Sequence, residues 1–238
     1  MLSIIIPTLN EERYLTRLLS EIKKQTFKDY EIIVADAGST DKTLEIAKSF
    51  GCRITKGGLP AKGRNEGAKV AKGDVFLFCD ADNVYFPENF LEKLLKEFQR
   101  RNLDIASFPI YVDGNCFDKL ALLVYNFWAN ITQNFLPHAF NSILVKREIH
   151  EFIGGFNEEI KLAEDQSYVR KASKFGKFGF IKIKPILTSA RRYEKEGRLK
   201  SYFKYLLAGV YLFFIGDIKT DIFKYSFNYR LENKEKKK

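Results

Sequence analysis

Short apolar runs alternate with amphipathic segments of helical length over the first 109 residues, and that rhythm constrains the fold more than any other feature. The runs are Leu2 to Ile6, Tyr30 to Ala35, Cys52 to Thr55, Val75 to Cys79 and Asp104 to Pro109. Between them, Glu11 to Gln25 carries Tyr14, Leu15, Leu18, Leu19 and Ile22 on one helical face. Helices are also expected at Asp41 to Phe50 (capped by Ser39 or Thr40), Lys62 to Ala71 and Pro87 to Arg101. Strands alternating with helices of this length make βαβ units and a mostly parallel sheet flanked by helices. A further strand is expected at Ser142 to Val145 and a helix at Leu162 to Phe175. A chain of 238 residues with 45% apolar content can bury one sizeable core, or one core with an appendage.

The fourth run ends in Asp80-Ala81-Asp82. Open α/β sheets bind ligands in the crevice beyond the carboxyl ends of their strands. Two carboxylates there repel each other and lose hydration, and a divalent cation relieves both costs. Magnesium or manganese takes one or two carboxylates and completes its shell with substrate phosphates. Asp80 and Asp82 are therefore candidate metal ligands, although the same pair is also suited to capping the helix near Pro87. Three more polar clusters fall at strand ends or turns. They are Pro7-Thr8-Leu9-Asn10-Glu11, then Asp36-Ala37-Gly38-Ser39-Thr40-Asp41, then Lys62-Gly63-Arg64-Asn65-Glu66-Gly67. Each alone reads as turn chemistry. Together, on successive turns of one sheet edge, they read as a nucleotide-diphosphate site.

Four stretches, SIIIPTLNEERYL, EIIVADAGSTDKT, KGRNEGAKVAKGDVFLFCDAD and FNSILVKREIHEFIGGFNEEIKLAEDQSYVRKA, resemble the family 2 inverting glycosyltransferases of the nucleotide-diphospho-sugar transferase (GT-A type) fold. The resemblance covers roughly residues 3 to 175. It implies that Pro7, Asn10 and Glu11 line a base pocket and that Asp36 contacts base or ribose. It also implies that Arg64 lies near the donor, Asp80 near the ribose and Asp82 on the metal. Glu164-Asp165 matches the family's acidic pair, whose aspartate is the usual catalytic base. The expected activity is metal-dependent transfer of a sugar from a nucleotide-sugar donor to a glycan or lipid-linked acceptor, at a hydroxyl or a lipid phosphate. Processive members carry Q-x-x-R-W after the acidic pair, whereas this chain has Ser189-Ala190-Arg191-Arg192-Tyr193, which argues against a polysaccharide synthase. Arg191, Arg192 or Tyr193 is expected to contact the diphosphate or close over it, with Arg192 the donor-binding candidate. No motif marks the acceptor side, expected within Tyr111 to Asn141. His138 reads as a surface or capping histidine rather than a ligand.

Two other functions compete. A nucleotidyltransferase would show a glycine-rich loop with a lysine after the first strand, where this chain has Thr8-Leu9-Asn10-Glu11-Glu12. A non-catalytic glycan- or lipid-binding module has no need of an intact Asp80, Asp82 and Asp165.

The net charge of +10 is uneven: residues 189–238 hold 13 Lys/Arg against 6 Asp/Glu, or +7, leaving +3 for the first 188. That argues against a nucleic-acid binder and for a basic C-terminal surface. We expect a catalytic domain at 1–188 and a helical, basic, amphipathic extension at 189–238. Within the extension, Tyr205 to Gly216 is apolar but too short to cross a bilayer, which takes about 20 residues. It is suited to lying on an anionic membrane, to packing on the core, or to a homodimer interface. Leu120 to Leu136 is similarly apolar and aromatic. Three cysteines without metal spacing, and a first strand starting at Leu2, suggest reduced thiols and a cytoplasmic protein, held peripherally at the inner face of the membrane.

Overall fold

A computed structural model describes residues 1–220 together with 222 and 223. The lysine-rich end at 234–238, and with it part of the expected extension, lies outside the described residues. The sequence rhythm is realised as β1 (Leu2–Thr8), α1 (Glu12–Lys24), β2 (Tyr30–Asp36), α2 (Thr43–Ser49), β3 (Arg53–Lys56), α3 (Pro60–Val70) and β4 (Val75–Cys79). Next come β5 (Asn83–Tyr85), α4 (Phe90–Arg100), β6 (Ile105–Ser107), β7 (Ile110–Asp113) and α5 (Cys116–Thr132). The chain continues through β8 (Ser142–Lys146), α6 (Arg147–Phe152), α7 (Glu164–Ala172), β9 (Phe178–Phe180), β10 (Ile186–Ser189), α8 (Arg191–Glu196) and α9 (Arg198–Phe214).

The main sheet has the order β3-β2-β1-β4-β8-β6-β9. Strands β1, β2, β3 and β4 are parallel, and β8 alone runs against its neighbours β4 and β6. Every residue of β1 is buried, because helices cover both faces of the sheet. Ile4, Ile6, Val34 and Leu77 pack on one side against Leu15, Leu18 and Leu19 of α1 and Phe90, Leu94 and Phe98 of α4. Ile5, Ile33, Phe76 and Phe78 pack on the other against Ala61 and Ala68 of α3 and Tyr168, Val169 and Ala172 of α7. That is the period of two of a strand, read out on two helical layers. The strand order reverses between β1 and β4, which puts the ligand crevice at their carboxyl ends.

Two features depart from the sequence expectations. The expected fifth strand is the three-residue β6, and β8 separates it from β4. A second sheet, β5-β10-β7, was not foreseen, since its strands of three to four residues carry too little pattern to read. It lies beside the main crevice, where Ser189 donates its amide to the Asp82 carbonyl at 2.9 Å. Strand β10 ends at Ser189, so the boundary drawn at 188 falls inside it. The helix expected from Asp41 starts at Thr43, and Asp41 rather than Ser39 or Thr40 accepts its first amide, at 3.0 Å. All three cysteines are free thiols, and Cys116 is exposed at the start of α5. Among the described residues no helix is long and apolar enough to cross a membrane.

Candidate active site

Asp36, at the end of β2, is nearly buried and accepts hydrogen bonds from Thr8 Oγ1 at 3.0 Å, the Gly38 amide at 2.9 Å and the Ser39 amide at 2.8 Å. The carboxylate thus folds its own loop into a tight turn, and Gly38 supplies the positive φ of 94° that the turn needs. Asn10 joins this loop to the end of β1. Its amide donates to Ser39 Oγ at 2.8 Å, and its Oδ1 accepts from the Thr40 amide at 2.9 Å. Beside the turn lies a cleft of about 380 Å³, walled by Leu44 and Ile54 and edged by Asp36, Gly38, Thr55 and Lys56. Apolar walls with a few polar edges suit a planar heterocycle.

Pro7 meets α3 at Gly63, where an added Cβ would stand 2.9 Å from the proline Cβ. This close approach brings Arg64, the next residue, under the crevice. Only 2% of the Arg64 side chain is exposed. Its Nη1 donates to Glu164 Oε1 at 2.7 Å and its Nη2 to Asp80 Oδ1 at 2.8 Å, while its guanidinium lies over the Phe156 ring at 5.2 Å. Burial works against the charge on Arg64, and the carboxylates of Asp80 and Glu164 more than restore it. One guanidinium therefore ties the end of β4 to the start of α7, where Glu164 lies 100 residues from Arg64 in sequence.

Asp165 follows on α7 and accepts from the Asn141 amide at 3.1 Å and from its neighbour Gln166 at 2.8 Å. Desolvation pushes its carboxyl up, and the adjacent Glu164 pushes the same way. Ala163, just before the pair, sits at φ 60°, and Asn141 at φ 46°. Asparagine tolerates this left-handed region, whereas alanine is strained there. Behind Asp165, Gln166 Nε2 donates to Tyr125 Oη at 3.1 Å, and Gln166 Oε1 faces His138 Nδ1 at 3.2 Å. His138 is thus a partly buried member of a polar chain, not a surface residue, and desolvation lowers its pKa to about 4, so it is neutral.

Asp82, beyond β4, takes Thr188 Oγ1 at 3.3 Å and Arg191 Nη2 at 3.3 Å. Glu11 is fully buried and is gripped by Arg191 through two hydrogen bonds of 2.7 and 2.6 Å. Of the adjacent arginines, Arg191 joins the crevice, whereas Arg192 donates to Tyr205 of α9 at 3.0 Å. Residues the sequence did not single out also build the site: Thr43, which receives the Glu11 amide at 2.8 Å, Asn141, Phe156, Gln166 and Thr188. Their contacts are tertiary and left no local signal. Among the described residues no three His, Cys, Asp or Glu side chains could by themselves hold a metal ion.

Residues 3–157 match the family model described as glycosyl transferase family 2. The chain belongs to glycosyl transferase family 2. It is 30% identical over 188 residues to the poly(ribitol-phosphate) beta-N-acetylglucosaminyltransferase TarS of Staphylococcus aureus, covering 71% of this chain and 32% of that one. It is 31% identical over 145 residues to the glycosyltransferase GlyG of Streptococcus pneumoniae, covering 51% and 48%. The family 2 chain thus spans between a third and a half of the length of these relatives. The crystal structure of S. aureus TarS residues 1–349 shares the fold at TM-score 0.65 and 21% identity, over 88% of this chain and 65% of that one. The mannosyltransferase PcManGT from Pyrobaculum calidifontis, solved with GDP-Man and Mn2+, matches at TM-score 0.61 and 19% identity, over 87% and 64%. The mostly parallel sheet flanked by helices is the shared architecture. Glu164, Asp165 and Arg191 lie beyond the segment matched by the family model.

Proposed function

We propose that this chain is a metal-dependent, inverting glycosyltransferase that moves a sugar from a nucleotide-diphospho-sugar to an acceptor hydroxyl or a lipid phosphate. The observation that carries the proposal is the Arg64 bridge, which brings Asp80 at the end of β4 and Glu164-Asp165 at the start of α7 to one crevice. The base enters the cleft between the ends of β2 and β3, next to the loop that Asn10 fastens to β1. Asp36 holds the loop that contacts base or ribose, and Asp80 faces the ribose. Glu11 supports the site through Arg191, one of the three residues expected at the diphosphate.

Asp82, with Asp80 beside it, offers hard oxygen donors that would hold manganese or magnesium together with the donor. Such an ion supplies charge neutralisation for the departing nucleoside diphosphate. The Mn2+ and GDP-Man in PcManGT, and the UDP-GlcNAc in one TarS structure, support this choice of donor and ion. Asp165 takes the acceptor proton as the new bond forms on the face opposite the leaving group, and the Asn141 and Gln166 amides orient its carboxylate.

A panel of UDP- and GDP-sugars, assayed for hydrolysis and transfer with and without manganese or magnesium, tests this reading. One donor should be turned over only with the metal present, and should raise the melting temperature by mass action. If no nucleotide-sugar binds or reacts with either metal, the proposal fails.

A further inference from the structure

Helices α5 and α9 both carry an apolar stripe outward, unlike ordinary surface helices. The buried side of α5 is largely polar, with Asp118, Asn126 and Thr132, while Leu120, Val124, Phe127, Trp128 and Ile131 are exposed. They recur at helical spacing, so they form one stripe rather than scattered surface residues. On α9 the buried residues are Ser201, Ala208 and Leu212, and the outer stripe is Leu199, Phe203, Leu206, Val210, Phe213 and Phe214. Exposure reaches 66% at Phe127 and 78% at Phe214. Water-soluble surfaces rarely carry a contiguous apolar area of this kind.

The two stripes belong to one surface. Asp118 of α5 accepts from Arg198 Nε at 2.9 Å and from Tyr202 Oη at 3.0 Å, which clamps the starts of the two helices together. Both helices also rest on α7. Gln166 donates to Tyr125 of α5 at 3.1 Å, and Arg170 donates to the Leu212 carbonyl of α9 at 3.0 Å. Gln166 and Arg170 are one turn apart on the same face of α7.

We infer that the outer faces of α5 and α9 dock on an anionic bilayer surface. Charge selects this occupant. Asp118 is the only acidic residue in the two helices and is buried, whereas Lys119 and Lys200 are exposed on them, with Arg198 and Lys204 nearby. The wider segment 189–238, which includes Arg198, Lys200 and Lys204, has a net charge of +7. Cationic residues interleaved with Phe, Trp and Leu are the composition of an interfacial helix, in which the apolar stripe enters the acyl boundary and the lysines meet anionic head groups. Two copies packed through this face would instead bring like charges together across the symmetry axis. Neither helix crosses the bilayer. Both lie on it, and on our reading of Asp165 as the base they keep the crevice close to that surface, because Gln166, the next residue, bonds to Tyr125 of α5.

Flotation of the full chain with vesicles of phosphatidylcholine alone, or mixed with phosphatidylglycerol, tests the inference. The chain should float with the mixed vesicles, less with phosphatidylcholine, and less again in high salt. Phe127→Asp with Leu206→Asp should leave it in the aqueous fraction with an unchanged near-ultraviolet spectrum. If that pair fails to fold, Lys119→Gln with Lys200→Gln decides. It should lower partitioning onto mixed vesicles about 25-fold, about fivefold per charge, and unchanged partitioning there overturns the inference. So does an intact chain that ignores anionic vesicles at low salt, or one that sediments as a dimer which the aspartates split. Metal-dependent donor hydrolysis in solution should survive both pairs, so loss of docking and loss of the proposed chemistry are read separately.

Discussion

Arg191 and Glu11 lie 180 residues apart in sequence and meet in a two-pronged ion pair, with the carboxylate fully buried. The guanidinium is further sandwiched by the Tyr14 ring, 4.5 Å from its centroid. The segment after β10 is thereby fastened to the first loop of the sheet.

Removing one partner of a buried pair strands the other charge. Arg191→Ala should therefore cost about 3 kcal/mol or more of stability. Adding Glu11→Gln should recover much of that loss, because no unpaired carboxylate remains. Urea unfolding of the two single variants and the double variant gives the coupling directly. Additive losses would mean that the pair is solvated and contributes little.

The raised pKa of Asp165, about 7 from desolvation and then Glu164, fixes the sign of two pH effects. A general base must be ionised, so transfer to a hydroxyl acceptor should climb with pH and level off above about 7. The folded chain also holds this proton more tightly than the unfolded chain, whose aspartates titrate near ~3.9. Between those two values the unfolded state releases the proton first, so stability falls as pH rises through the window. Asp165→Asn should match the parent in melting temperature near about pH 4 and exceed it above about pH 7, while transfer drops about 10²-fold or more. Activity that persists in this variant would point to an acceptor that is already ionised, such as a lipid phosphate.

The central strands and the amphipathic helices could be read from the sequence because their burial is written locally. Examples are Ile4, Ile5 and Ile6 in β1, or Leu15, Leu18, Leu19 and Ile22 along α1. The insertion of β8 between β4 and β6 could not, since strand order is decided by partners distant in the chain. The acidic positions Asp36, Asp80, Asp82 and Asp165 could be placed at strand ends or a helix start. Their partners could not: Arg64 reaches across 100 residues to Glu164, and Arg191 across 180 to Glu11. Choosing between Arg191 and Arg192 needed the α8 helix itself, because adjacent helical residues point about 100° apart.

Asp82→Ala isolates the proposed ion. Metal-stimulated donor turnover should fall at least about 100-fold, since several kcal/mol of charge stabilisation goes with a bound cation. The fold should be nearly unaffected, because Arg191 keeps its grip on Glu11. A manganese titration of donor hydrolysis reads the effect, and full activity at ordinary manganese would remove Asp82 from the metal site.

Ala163 holds φ 60° and ψ 40° immediately before Glu164 and Asp165. A Cβ in the left-handed region costs roughly 1–2 kcal/mol, which glycine does not incur. Glycine gives back part of that through its freer unfolded chain, so Ala163→Gly should stabilise by about 0.5–1 kcal/mol. Ala163→Val, with a branched Cβ in the same conformation, should destabilise instead. Strain at this point sets the angle at which α7 presents its first two carboxylates, and a glycine loosens it. Transfer by Ala163→Gly should therefore slow several-fold even as the protein becomes more stable, a trade between stability and activity. Urea unfolding and turnover measured on the same two variants check both halves. A glycine variant less stable than the parent would show that the turn is held by packing of the Ala163 methyl, not against backbone strain.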